Sequence, residues 1–312
     1  MNSTKFIYTY IRHRDEQELC RMEMRAFFGK DVPDNVIQSE VKVDPSRSPF
    51  MQARLEVWIQ ADSVDLLAQQ ATELQVDSSF KTVCLNDMEL AGTKKISHAK
   101  RREIERQVGL QIKGEPELDH PEVLIGIVKL EDHWYAGKLI ESSSDWHAHQ
   151  QKPHMYSTAL GTRLARAAVN IAVPHPEGVR VIDPCCGIGT VLVEALSMGI
   201  PIVGRDINPL VVYGSRKNIA YFELEGDVTI GPISEVNELY DVAIIDMPYN
   251  LFTHITAEGQ LDILKEARRF AKSCLIITIE NMDDMLREAG FAVADRCLAR
   301  KGTFSREVVL CT

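Results

Sequence analysis

VIDPCCGIGT, residues 181–190, is the stretch on which the fold turns. Val181 and Ile182 close an apolar, β-branched run, and Val191 to Ala195 open an apolar run of helical character, so the stretch joins a strand to a helix. Glycines at 187 and 189 let the backbone bend tightly and approach a ligand that a Cβ would obstruct. The first amides of the following helix face such a ligand and favour its carboxylate. Asp183, at the strand end, can accept bonds from a cationic amine. A nucleotide phosphate would need a following GKT or GKS, or the full GxGxxG, and neither is present.

Outward from this turn the chain alternates strands with helices. Strands are expected over 179–183, 202–205, 228–230, 242–246 and 273–279, with helices over 190–198, 209–221, 259–271 and 282–289 between or after them. Apolar strands alternating with helices predict an α/β domain whose parallel sheet is covered on both faces. Two last strands, 292–299 and 305–311, form an antiparallel hairpin, and residues 158–172 an amphipathic helix in front of the domain.

The first half reads as α+β. Strands are expected over 5–10, 53–59 and 80–85, helices over 15–28 and 63–74, a loop over 31–49, and a hairpin over 123–130 and 133–140. Residues 141–152, ESSSDWHAHQQK, are polar and aperiodic, which sets the domain junction there, with 1–150 on one side and 151–312 on the other. His147 and His149 are expected to be exposed in that linker.

With 312 residues, 45% hydrophobic and 26% charged, the chain has material for two cores. No apolar run approaches the roughly 20 residues of a spanning helix, and the N-terminus lacks the order of a signal peptide, so a cytoplasmic protein without membrane contact is expected. Seven cysteines without CxxC spacing suggest neither a disulfide framework nor a metal site. The net charge of −10 argues against a nucleic-acid partner. Against it stands KKISHAKRREIER, residues 94–106, where Lys94, Lys95, Lys100, Arg101, Arg102 and Arg106 face only Glu103 and Glu105. Screening over about 8–10 Å lets such a local patch bind phosphates on an acidic protein; the alternative is a solvated helix face.

Three further motifs follow the glycine turn. In GRDINP, residues 204–209, Asp206 ends the next strand about 20 residues on, where a carboxylate can hold both hydroxyls of a ribose. Its alternative is helix capping, for which Asn208-Pro209 is itself well suited. Asp227 opens a further strand, where it could reach an adenine amino group. Last, DVAIIDMPYN, residues 241–250, is a buried-type strand ending in Asp246-Met247-Pro248-Tyr249. The lone pair of an exocyclic base amine is delocalised into the ring. The Asp246 carboxylate and the Met247 carbonyl would hold its N–H groups and stabilise developing positive charge, while Tyr249 offers a stacking face worth about 1–3 kcal/mol.

These residues resemble class I methyltransferases of the amino-group branch, whose motif is (Asp/Asn)-Pro-Pro-(Tyr/Phe). Within it the chain is similar to the THUMP-containing tRNA guanosine N2-methyltransferases. The match is carried by HMYSTALGTRLARAAVNIA (154–172), DPCCGIGTVLVEAL, GRDINPLVVYGSRKN and residues 246–249. The resemblance implies a Rossmann-like catalytic domain, an N-terminal ferredoxin-like and THUMP region that binds RNA, S-adenosyl-L-methionine as cofactor, and tRNA or another structured RNA as partner. It implies cofactor contacts from Tyr156, Thr158, Asp183, Cys185, Gly187, Gly189, Thr190, Asp206, Ile207, Asp227 and Val228, and a catalytic Asp246, Met247, Pro248 and Tyr249. Met247 replaces the first proline of the motif, and Asn250 stands where the family usually has Gly. An adenine-N6 methyltransferase, a non-catalytic RNA-binding protein on the same fold and a small-molecule methyltransferase are the competing readings. Replacing Lys94, Lys95, Lys100 and Arg101 with neutral residues is expected to weaken tRNA binding and flatten its salt dependence; an unchanged affinity in filter binding would remove the patch from the RNA site.

Overall fold

Period-two alternation in the first half and buried apolar runs in the second build two separate sheets in this computed structural model, which describes residues 4–31, 35–90, 92–155, 159–248, 255–302 and 304–312. The first half runs β1 (Phe6–Tyr10), α1 (Gln17–Phe28), β2 (Val36–Ser39), β3 (Met51–Ala61), α2 (Val64–Ala71), β4 (Phe80–Cys84), α3 (His98–Gly109), β5 (Val123–Leu130) and β6 (His133–Glu141). The second runs α4 (Thr162–Ala172), β7 (Val181–Asp183), α5 (Thr190–Ser197), β8 (Ile202–Asp206), α6 (Pro209–Tyr221), β9 (Val228–Ile230), β10 (Tyr240–Asp246), α7 (Ala257–Phe270), β11 (Ala271–Thr278), α8 (Asp283–Glu288), β12 (Val293–Lys301) and β13 (Phe304–Cys311).

The chain divides into two units, but not at a single point. One comprises Met1–Ile11, Val32–Ser46 and Phe50–Ser143; the other Arg12–Asp31, Arg47–Pro49 and Ser144–Thr312. The sequence-based division into 1–150 and 151–312 therefore differs from the folded one in two early segments and in the position of the junction.

In the first unit the sheet order is β2-β1-β3-β6-β5-β4 among the described residues. Helices α2 and α3 cover it, burying Leu67, Ala71, Ile104 and Val108 against Phe80, Ile125 and Ile127; each of these side chains larger than alanine contributes about 1.5–3 kcal/mol. Strand β2 lies inside the expected loop. Val36 and Ile37 are buried and pair with β1, and the Tyr8 hydroxyl fixes the segment beyond, donating to the Val41 carbonyl at 2.7 Å and accepting from the Val43 N–H at 2.8 Å.

In the second unit the order is β12-β13-β11-β10-β7-β8-β9, again among the described residues. Strands β7 to β11 pair in parallel and β13 joins β11 antiparallel. After β7 the chain steps outward through β8 and β9, then returns to the other side of β7 for β10. That reversal opens a crevice at the carboxyl ends of β7 and β10, where α/β sheets bind ligands.

Helix α1 belongs to this unit because its apolar face packs on α4. Glu23 is fully buried there, accepting from the Ser48 hydroxyl at 2.5 Å and from Asn170 Nδ2 at 2.8 Å. Burial raises its carboxyl from 4.5 to about 7, against the lowering bonds of Ser48 and Asn170 and the charge of Arg47. The folded protein thus keeps a proton that the unfolded chain releases, and stability falls as pH rises from about 4.5 to about 7. Glu23→Gln is expected to flatten that fall by up to about 1.4 kcal/mol per pH unit, as read from denaturant midpoints across the window. An unaltered slope would mean that Glu23 ionises freely.

Candidate functional site

Asp183 ends β7 and Asp246 ends β10, and the two strands are hydrogen-bonded neighbours with Val181 opposite Val242 and Ile182 opposite Ala243. The glycine turn and the 246–248 segment therefore leave the same edge of one sheet. Gly187 (φ 52°) and Gly189 (φ 77°) are both left-handed, a conformation that glycine adopts without a Cβ penalty. A Cβ on Gly187 would project into open space, whereas one on Gly189 would lie 2.2 Å from Ser215 Oγ. Gly189 caps α5, whose first residue is Thr190; the Thr190 hydroxyl is buried without a hydrogen-bond partner among the described residues.

Asp206 closes β8 and ties the turn down. Its carboxylate accepts from the Gly187 N–H at 2.9 Å and from the Asn208 N–H at 2.9 Å. The helix-capping role falls to Asn208, whose side chain accepts from Leu210 N–H with Pro209 in the first turn. Asp206 is half-buried, so its carboxylate stays open to further donors.

Asp183, Asp206 and Asp246 gather at this edge. Burial pushes the Asp183 carboxyl well above its ordinary value, and the charges of Asp206 and Asp246 push it further, against a 3.2 Å bond from the Cys185 N–H. Burial likewise raises Asp246 to about 7, with Arg306 opposing. Asp246 Oδ1 is buried and has no hydrogen-bond partner among the described residues. Cys185 is half-buried beside Asp183, and desolvation raises its thiol far enough to keep it neutral.

Met247 is informative where it departs from proline. Its side chain is buried in the cluster of Leu264, Phe270, Ile276 and Met282, and its N–H donates to the Ile277 carbonyl at 2.9 Å. A proline could not make that bond; here β10 is held to β11 for one residue more, and hydrogen bonding restrains the backbone in place of a ring. The Pro248 carbonyl accepts from the buried Gln260 side chain at 3.3 Å.

Asp227 and Val228 do not reach the site edge. They open β9 instead of closing it: Val228 pairs with Gly204, the Asp227 carbonyl accepts from the Gly204 N–H, and Ile230 pairs with Asp206. Asp227 is thus three positions, about 10 Å, back from the level of Asp206. The expected adenine contact has to be corrected: the residues at that level are Ile230 and Gly231, whose N–H donates to the Asp206 carbonyl at 3.0 Å. Ile207, also expected at the cofactor, is 70% exposed. Tyr156, Thr158 and Tyr249 lie outside the described residues.

In the basic stretch, Lys94 and Lys95 precede α3 and are exposed. Lys100 bridges to Glu103 at 2.9 Å, Arg102 to Glu105 at 3.3 Å, and half-buried Arg101 reaches the Cys84 carbonyl at 3.5 Å. Two of these cations are thus shared with carboxylates on their own helix.

Behind the turn stand supports that the motifs do not mark. His149 is buried, not exposed, with Nδ1 2.8 Å from the Glu194 carboxylate, which Arg166 also bonds at 2.8 Å. Asn218, fully buried on α6, bonds both Ile188 and His154. A carboxylate among helical apolar residues was the available signal for Glu194.

Residues 150–281 match the UPF0020 family, described as an RMKL-like methyltransferase domain. Among named relatives, the tRNA (guanine(10)-N2)-dimethyltransferase of Methanothermobacter thermautotrophicus is 29% identical over 176 residues, 53% of this chain and 52% of that protein. The enzyme of the same name from Methanocaldococcus jannaschii is 27% identical over 182 residues, 52% of this chain and 51% of that protein. The chain thus spans about half the length of the curated relatives it matches. The crystal structure of TrmN from Thermus thermophilus aligns over 98% of this chain and 99% of its own at TM-score 0.49 and 17% identity. The matched residues lie in the second unit, on its sheet of mainly parallel strands, and are similar there to a methyltransferase domain.

Gly189→Ala meets both a left-handed backbone and the Ser215 hydroxyl, and is expected to lose about 2–3 kcal/mol. Gly187→Ala meets the backbone term alone, about 1–2 kcal/mol. Urea midpoints measure the difference, and equal losses would show that Ser215 yields freely.

Proposed function

We propose that this chain is an S-adenosylmethionine-dependent RNA methyltransferase that methylates the exocyclic amine of guanine in tRNA. The observation that carries this reading is the meeting of three carboxylates with a left-handed glycine turn at one sheet edge. Crowded, partly desolvated carboxylates favour a cationic ligand and repel phosphate. A ligand with an ammonium, a sulfonium and a ribose fits that charge pattern. The names of the relatives matched over the second half support the same substrate class.

S-adenosylmethionine, when bound, supplies the methyl group on its sulfonium. The turn at Gly187 and Gly189 leaves room for its amino-acid end, with the α5 amides toward the carboxylate and Asp183 toward the ammonium. Asp206 takes the ribose hydroxyls. Ile207 and Ile230, exposed at the ends of β8 and β9, provide apolar cover for adenine in place of the contact once expected from Asp227.

The acceptor side is formed by residues 246–249. Asp246 Oδ1, buried and without a partner among the described residues, and the Met247 carbonyl accept the two N–H groups of the base amine. They aim its nitrogen toward the donor and stabilise the charge that develops there. Tyr249, the last residue of the motif, would supply the stacking face for the base. The first unit serves as the RNA-binding region, of ferredoxin-like and THUMP type, with Lys94, Lys95, Lys100, Arg101 and Arg102 on phosphates. Among the described residues no helix is long and apolar enough to cross a membrane; the cytoplasm, where tRNA is modified, is the expected compartment.

Asp246 works as an anion. With its carboxyl near 7 in the free protein, kcat/KM for the donor should fall about tenfold per pH unit below that value, and kcat only at lower pH, because a bound cation lowers the carboxyl. Asp246→Ala should lower kcat by about 100-fold or more while donor binding persists. The direct test compares nucleosides of tRNA from a parent and a deletion strain by mass spectrometry. Loss of an N2-methylated guanosine is expected; an unchanged tRNA profile, or a loss confined to N6-methyladenine, would overturn the assignment.

A further inference from the structure

Three peptide groups, one of them in the glycine turn, are held by one side chain to which the sequence motifs assign no role. Asn218 lies on α6 with no exposed surface. Its Nδ2 donates to the Ile188 carbonyl at 2.9 Å and to the His154 carbonyl at 3.1 Å, and its Oδ1 accepts from the His154 N–H at 3.0 Å. We infer that Asn218 is a positioning residue of the donor site: its carboxamide fixes the peptide between the two left-handed glycines, and donor affinity depends on it. The inference rests on the donor-site reading given above.

Ile188 stands between Gly187 and Gly189, and glycine accepts positive and negative φ with little difference in energy. A peptide flanked in this way can rotate at small cost unless its polar atoms are held. Asp206 takes the Gly187 N–H, and the Cys186 carbonyl takes that of Gly189 at 2.8 Å. The Ile188 carbonyl, between them, is taken by Asn218. Replacing the carboxamide leaves buried acceptors without donors, and the turn can recover by rotating the peptide toward the open space in front of Gly187.

The same side chain locates the segment in front of α4. His154 is bonded to Asn218 through both its N–H and its carbonyl, and its ring meets the Tyr213 ring edge-on at 5.8 Å. Five residues earlier, His149 is bonded to Glu194 on α5. The 149–154 segment is thereby fastened to α5 at one end and to α6 at the other. These are the helices that follow the glycine turn and the Asp206 strand.

A purely structural asparagine offers the control. Asn170 is equally buried and donates to Glu23 Oε1 and to the Arg47 carbonyl, both at 2.8 Å, with no bond to the turn. Calorimetric titration of the full chain with S-adenosylhomocysteine is the test, run on the wild type, Asn218→Ala and Asn170→Ala alongside urea midpoints. Both variants should lose stability. Only Asn218→Ala should weaken S-adenosylhomocysteine, by about tenfold or more, with tRNA affinity kept. Should that variant fail to fold, Asn218→Ser, too short to reach the Ile188 carbonyl, takes its place with the same expected loss. Wild-type binding with an Asn218 variant within about twofold of it, or an equal loss in Asn170→Ala, overturns the inference alone. No binding to the wild type would overturn the donor-site reading, and the inference with it.

Discussion

The site depends on the parallel pairing of β7 with β10. Two helices and two strands separate these strands in the chain, yet Val181 lies beside Val242 and Ile182 beside Ala243. The pairing brings two acidic strand ends to one rim, and everything chemical at that rim follows from their closeness. Carboxylates buried near one another resist ionisation, which is why burial and mutual repulsion raise Asp183, and burial raises Asp246. A cation relieves both penalties together. The free protein is in this sense prepared for a positively charged ligand, and its binding should lower the carboxyls of both residues.

The rim is held mainly through backbone atoms. Asp206 takes the Gly187 N–H, Asn218 takes the Ile188 carbonyl, and the Ile277 carbonyl takes the Met247 N–H. The first two of these bonds restrain peptides that adjoin a left-handed glycine. Met247 shows how the pattern tolerates change: the departure from proline gains a strand bond and a buried side chain, and leaves the carbonyl at the end of the same strand. Glu194 works at one remove, joining Arg166 on α4 to His149 through a single carboxylate.

Local features of the chain were legible and distant ones were not. The bounds expected for α6 and β9 match the folded ones, because Asn208-Pro209 and the following apolar run mark a helix start without help from elsewhere. Asp227 opens β9 as expected, but its distance from the site edge is set by the pairing of Ile230 with Asp206, which the local sequence does not reveal. Trp146 and His149 sit in a stretch whose composition reads as linker, and their burial depends on partners such as Glu194 and Phe222 far along the chain. The membership of α1 in the second unit is of the same kind. Its amphipathic spacing announced a buried face, but the partner of that face, α4, is more than a hundred residues away. Strand β2 was hidden by a segment rich in Pro, Asp and Ser whose ordering comes from Tyr8.

The central claim is that donor and acceptor meet between the glycine turn and Asp246. A crystal structure of the protein with S-adenosylhomocysteine tests it most directly. The account predicts the ribose on Asp206, the amino-acid end at Gly187 and Asp183, and the sulfur facing the Asp246 carboxylate with room for one base amine between them. The nucleoside seated at another edge of the sheet, or a sulfur turned away from Asp246, would contradict it.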